Sequence, residues 1–205
     1  MCFSAEISMT AFTIGLGFSI LLIQSGTKFK KLMGYFLGYV SLMQFIEYLL
    51  WKHPICDNYN KTVSVVGMML NHLQPIVLAG LTAFFYNKQL PMLSLISVIY
   101  LLVIIPYSLQ YTSDLQCTTK KCGSTDPHLV WNWNNLKYGD FAYFVFLCAF
   151  VGIGLYGMPL SEGIFFSMFA VFTNVASQIF YDRKVVGSLW CFWTAFVPVA
   201  LYLYT

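Results

Sequence analysis

Charge is what this sequence has least of. Of 205 residues, 11 are Lys or Arg and 8 are Asp or Glu, 9% in all; an average soluble domain has about 25%. A chain so poor in charge, and 59% hydrophobic, cannot clothe a globule in polar surface, so it reads as an integral membrane protein whose first partner is the lipid bilayer. Arginine is all but missing, with Arg183 standing alone. No basic tract is present and the net charge is only +3, which argues against a nucleic-acid partner or a polybasic lipid patch. The first apolar run lacks a basic n-region and is too long for a signal-peptide core, so it reads as a span. Low-complexity tracts and tandem repeats are absent too.

What the sequence has is long apolar runs. Seven of them, at about 4–24, 32–51, 62–86, 92–111, 138–157, 161–181 and 188–204, are each near the ~20 residues that cross a bilayer. A chain in lipid must satisfy its own backbone, and these runs are too uniformly apolar for barrel strands, so helices are the choice. The fold class expected is all-α: one transmembrane helical domain over 1–205 with seven helices, or six if the last run is not a full crossing. Residues 112–137 form the one substantial extramembrane loop, a lid in reach of the bundle mouth. Its Trp131 and Trp133 suit a segment resting on the interface or folding over that mouth.

Ser4 with Glu6, Asp140 after Gly139, and Ser161 with Glu162 place acceptors or acid at helix starts, where capping explains them. Gly34 and Gly38 form a G-x-x-x-G, which packing within the bundle explains more simply than a homo-oligomer does. Counts of basic residues tie between the two sides: Lys28, Lys30, Lys31 and Lys88 against Lys52, Lys61, Arg183 and Lys184. The loop after the first span usually dominates, which favours the N-terminus and the Cys-bearing loops on the extracytoplasmic side. Asn60-Lys61-Thr62, a glycosylation-type sequon, falls on that side, as do Cys2, Cys56, Cys117 and Cys122. Oxidation would let these four cysteines pair in any of three ways. A zinc site on Cys117, Cys122, His128 and Cys56 is the rival reading, but the spacing is not that of a standard knuckle, so neither metal nor cofactor is expected.

The apolar runs are interrupted at selected places. Gln44, Glu47 and Trp51 share one face of the second span by their i, i+3, i+7 spacing. Asn71, His72 and Gln74 fall in the third span before Pro75, which cannot donate to the carbonyl of Asn71. Asn174, Gln178 and Asp182 form a stripe in the sixth. All lie towards the N-terminal end of the bundle, while 32–40, 76–85 and 163–172 offer little beyond tyrosine, serine and threonine. The expectation is a polar, aromatic-walled cup at that end above an apolar plug, holding a small ligand or ion. Glu47 and His72 are the central pair, able to carry a proton, hold a cation or share a metal, because an ionisable group within a span costs roughly 2.5–3.5 kcal/mol on insertion scales. A buried pair that only fixes helix register is the plainer alternative.

Met1-Cys2-Phe3-Ser4-Ala5, together with Gln44-x-x-Glu47-x-x-x-Trp51, resembles an uncharacterised family of small polytopic membrane proteins. That family begins Met-Cys-Phe-Ser-Ala and carries Gln-x-x-Glu-Gly-x-x-Trp in its second span; this chain has Tyr48 at the glycine position. The resemblance implies that Cys2, Gln44, Glu47 and Trp51 belong together and implies no particular activity. Three functional classes follow from the residues. Foremost is a small transporter or channel for a proton, cation or small solute. The others are a ligand-binding or sensor protein and a membrane-embedded metal-dependent enzyme, the last lacking a convincing ligand cluster.

Overall fold

The computed structural model describes residues 4–87, 89–113, 116–120, 129–180 and 186–203. Helices α1 (Ala5–Gln24), α2 (Lys28–Lys52), α3 (Asn58–Tyr86), α4 (Leu90–Ser113), α5 (Gly139–Gly157) and α6 (Leu160–Phe180) follow one another. The chain closes with α7 (Val186–Ala195) and α8 (Val197–Leu203). Between α4 and α5 lie a two-residue antiparallel ladder, β1 (Thr119–Lys120) with β2 (Leu129–Val130), and a 3-10 turn at Asn132–Asn135.

Among the described residues, six helical stretches are long and apolar enough to cross a membrane: α1, α3, α4, α5, α6, and α7 with α8 as Val186–Leu203. The last run is therefore among the six, and α2 is the one outside them. Its length is sufficient, 25 residues or roughly 37 Å at 1.5 Å per residue. What it lacks is uniform apolarity, and its surroundings explain why. It packs against α1, α3, α7 and α8, and between Leu32 and Trp51 only Tyr35 is exposed. A helix enclosed by others has no lipid face to keep apolar, so it can carry Gln44 and Glu47. By contrast α4 turns Leu95, Val98, Ile99, Leu102, Ile105 and Leu109 outwards.

Local chemistry sets the element ends. Ser4, Thr27 and Asp57 each accept a backbone N–H from three residues on and cap α1, α2 and α3. The Asp57 carboxyl is held below its ordinary range chiefly by the backbone N–H of Asn60, then by the His53 side chain 2.8 Å away. Glu6 and Glu162 lie in first turns as expected, and each has a partner: Lys52 at 3.7 Å and the Tyr86 hydroxyl. Pro75 and Pro106 sit inside continuous helices. On either side of the Asn71 carbonyl, which Pro75 leaves without its helical donor, the carbonyls of Leu70 and His72 accept the hydroxyls of Tyr39 (3.0 Å) and Tyr100 (2.6 Å). Pro198, unable to donate, ends α7 and starts α8 anew after Phe196.

Glycines let the helices touch. A Cβ on Gly34 would lie 2.7 Å from the Ser19 carbonyl of α1, and one on Gly163 would lie 2.2 Å from the Gly154 carbonyl. The G-x-x-x-G of α2 is thus spent on α1. The larger core cluster contains Leu22, Leu32, Phe36, Leu78, Leu93 and Ile153 and continues to Tyr107, Ala142 and Trp190. A second one, at the N-terminal end, joins Met43, Ile46, Leu50, Met68 and Leu189 to Trp131 and Trp133.

Candidate functional site

The mouth of the bundle is occupied by its own loop. Trp131 and Trp133 are 1% and 0% exposed and stack with ring centroids 5.0 Å apart. Burying an indole of ~150–250 Å² yields roughly 4–6 kcal/mol at 25 cal/mol/Å². That exceeds the roughly 1–3 kcal/mol lost by leaving their indole N–H groups without a hydrogen-bond partner. Gly67 and Gly187 make the room: a Cβ on Gly187 would lie 2.9 Å from the Trp131 ring. A disulfide between Cys56 and Cys117 ties the loop to the start of α3. Beside it, Thr118 donates its N–H to the Asn60 side chain at 3.0 Å, and Ser64 donates to the Thr118 hydroxyl at 2.8 Å. The described part of the loop is therefore a wedge in the bundle axis.

The open space lies to one side. Where α5 and α7 begin and α6 ends, a cavity of about 540 Å³ is lined by Asn71, Asn134, Asp140, Tyr143, Asn174 and Gln178 among others. Phe144 and Trp190 add aromatic walls. Tyr143 organises its floor. Its hydroxyl accepts from the Asn71 amide at 3.1 Å, donates to the Asn134 side-chain oxygen, and lies 3.2 Å from His72 Nε2. His72 Nδ1 is 2.7 Å from the Ser108 hydroxyl, which donates to the Ile104 carbonyl. With that hydroxyl proton engaged, a neutral His72 donates from Nδ1 and accepts at Nε2. Tyr143 then has two acceptors, Asn134 and His72, for one proton.

Of the residues singled out from sequence, Asn71, Asn174 and Gln178 line this chamber, and His72 reaches it through Tyr143. Gln178 donates to Asn174 at 2.7 Å, as their i, i+4 spacing suggested. Gln44, Glu47 and Gln74 do not line it. Glu47 is buried near Ser188 and Gln44, and Gln74 near Cys191, where α2 and α3 face α7. No ion pair joins Glu47 to His72 among the described residues. Trp51 packs in the cluster around the wedge. The disulfide takes Cys56 and Cys117 from the zinc reading. Cys2, Cys122, His128 and Asp182 lie outside the described residues. The chain matches no protein-family model, no curated protein and no solved structure.

Sequence reasoning missed Tyr143 and Asn134 as chamber walls and read Asp140 only as a cap. One signal for Asn134 was available: Trp131-Asn132-Trp133-Asn134-Asn135 alternates large apolar and amide side chains, as a segment touching core on one side and a polar space on the other would. Tyr143 is one tyrosine among 14 and carries no distinguishing spacing.

Chemically, the chamber offers amides that both donate and accept, one phenol and one carboxylate. Among the described residues no basic side chain lines it. Those described groups suit a neutral or cationic polar solute. Its volume falls within the ~300–1,000 Å³ of small-molecule sites.

Proposed function

We propose that this is a seven-pass membrane protein, α2 being the seventh crossing, that takes a small neutral or cationic polar solute into the chamber as a step in its transport. The observation that carries this reading is the 540 Å³ cavity lined by Asn71, Asn134, Asn174, Gln178 and Tyr143, with the Asp140 carboxylate among them. Transport rather than binding alone is favoured by Trp190, which walls both this chamber and a second cavity deeper in the bundle. The Cys56–Cys117 bond supports placing the chamber end towards an oxidising, extracytoplasmic compartment.

Two measurements test it. Melting of the detergent-purified protein against small polyols, neutral amides and primary amines should reveal at least one stabilising compound. Uptake of that compound into proteoliposomes should exceed empty liposomes and fall at least tenfold in Asn174→Leu, which puts an apolar side chain into the chamber wall. Stabilisation without uptake would move the assignment to a sensor, and no stabilisation by any of the three classes would refute the chamber as a binding site.

A further inference from the structure

The chamber has a flank between two helices. Antiparallel α5 and α6 pinch together at the end where they join, and Gly154 and Gly163 leave no room there for a side chain. One rung further, Ser167 donates to the Val151 carbonyl at 3.4 Å, and the Phe150 and Phe166 rings lie 6.0 Å apart. These rungs set a register, one residue back on α5 for each residue forward on α6. Continued, it puts Leu147 level with Val171, Phe144 with Asn174 and Asp140 with Gln178. Yet Leu147, Phe144, Asp140, Asn174 and Gln178 all line the chamber. The two helices therefore part above Val151. From Asp140 to Leu147 the gap runs roughly 10 Å at 1.5 Å per residue, within the ~15 Å of one leaflet of a ~30 Å hydrocarbon core.

Phe144 tells which way the gap faces. It lines the chamber and is also 64% exposed. Beside Asn174 on α6, Phe172 and Val175 are 72% and 45% exposed. Asn71 of α3 and Trp190 of α7 lie on the opposite wall, towards the bundle. The cavity thus has amides and a phenol at its back and apolar side chains at its front, on a face that a bilayer covers. A hydrated solute would have to shed its water against Phe144 and Leu147 to pass that front. A polar head trailing an alkyl chain suits both walls at once.

We propose that the chamber's substrate is a membrane amphiphile, one alkyl chain on a small neutral or cationic polar head, entering from the bilayer between α5 and α6. The head sits among the amides of Asn71, Asn134 and Asn174, and the chain lies across Phe144 and Leu147. One chain is the limit, because the gap is a single helix–helix seam closed at Val151. The deeper cavity past Trp190, at about 30 Å³, takes no more than a water. Lipid tails are as apolar as leucine, so the chain gains little by leaving them. Its part is to concentrate the head at the gap, roughly fourfold per methylene. This inference rests on the chamber being the solute site proposed above, and adds the substrate's class and its route.

The test uses the full chain in phosphatidylcholine nanodiscs. The probes are a monoacylglycerol and a long-chain primary amine, each with a diazirine in its chain. At least one should label the α5 segment around Phe144 and Leu147 fivefold or more above a headless diazirine hydrocarbon. Unlabelled amphiphile should compete at a total concentration at least a hundredfold below that of its free head, glycerol or ethylamine. Labelling should fall at least fivefold in Leu147→Trp, which fills the gap, and in Asn174→Leu, which removes an amide from the head's wall. It should persist in Leu102→Ala on the exposed side of α4. Should Leu147→Trp not fold, Asn174→Leu carries the same reading. Labelling no greater than the hydrocarbon's, or undiminished by these substitutions, overturns the amphiphile. If glycerol or ethylamine then still raises the melting temperature, the chamber stands as a site for a water-borne solute; if neither does, both readings fall together.

Discussion

Asn60 shows how far one side chain's surroundings can overrule its motif. In sequence it heads Asn60-Lys61-Thr62. In the structure it is 0% exposed. Its amide donates to the carbonyls of His53 and Thr118, both at 3.2 Å, and its oxygen accepts the Thr118 N–H at 3.0 Å. A glycan on this nitrogen would replace a donor and fill a space already taken by the loop. Asn60→Ala should therefore destabilise by roughly 1–3 kcal/mol, the range for stranding buried backbone partners. Asn60→Asp should do at least as much, since it swaps two donated bonds for a buried charge. Denaturant unfolding in mild detergent measures both. Expression in a glycosylating host should give a mass that glycosidase treatment leaves unchanged; a mass loss would mean that Asn60 reaches the enzyme before the loop closes.

At the scale of elements, the wedge between α4 and α5 gives the bundle its closed mouth. Two devices hold it: burial of the Trp131–Trp133 stack and the Cys56–Cys117 bond, which links residues 61 apart in sequence. Closing a loop of that length removes roughly 4 kcal/mol of denatured-state entropy in the chain model, and measured effects run about 2–4 kcal/mol. The Cys56→Ser, Cys117→Ser double variant should lose about that much, and wild-type protein should lose the same on treatment with a phosphine reductant. The denaturation midpoint, with and without reductant, reads both effects. A midpoint indifferent to reduction would mean that the indoles alone keep the loop in place.

For the whole molecule, bilayer thickness imposes a run length that any sequence must obey, which is why helix positions were legible. The polar bias of the N-terminal end was legible too, because Asn71, Asn174 and Gln178 interrupt otherwise apolar runs. Rotational phase was not. Asn71 meets Tyr143 on α5, His72 lies between Tyr143 and Ser108 on α4, and Gln74 turns towards Cys191 on α7, and nothing in their spacing says which neighbour each meets. Hence Glu47 and His72, paired in the sequence reading, belong to different groups. The same enclosure that separates them makes α2 the least apolar of the long helices, so its crossing is the point on which the topology turns. If α2 crosses, Lys28 and Lys52 at its ends lie on opposite sides. With the disulfide side extracytoplasmic, Lys52→Cys in intact cells should react with a membrane-impermeant maleimide, and Lys28→Cys should react only after permeabilisation. The mirror-image pattern would keep seven crossings and reverse the orientation. Equal labelling at both positions would mean that α2 does not cross, leaving the enclosed carboxylate with no membrane to span.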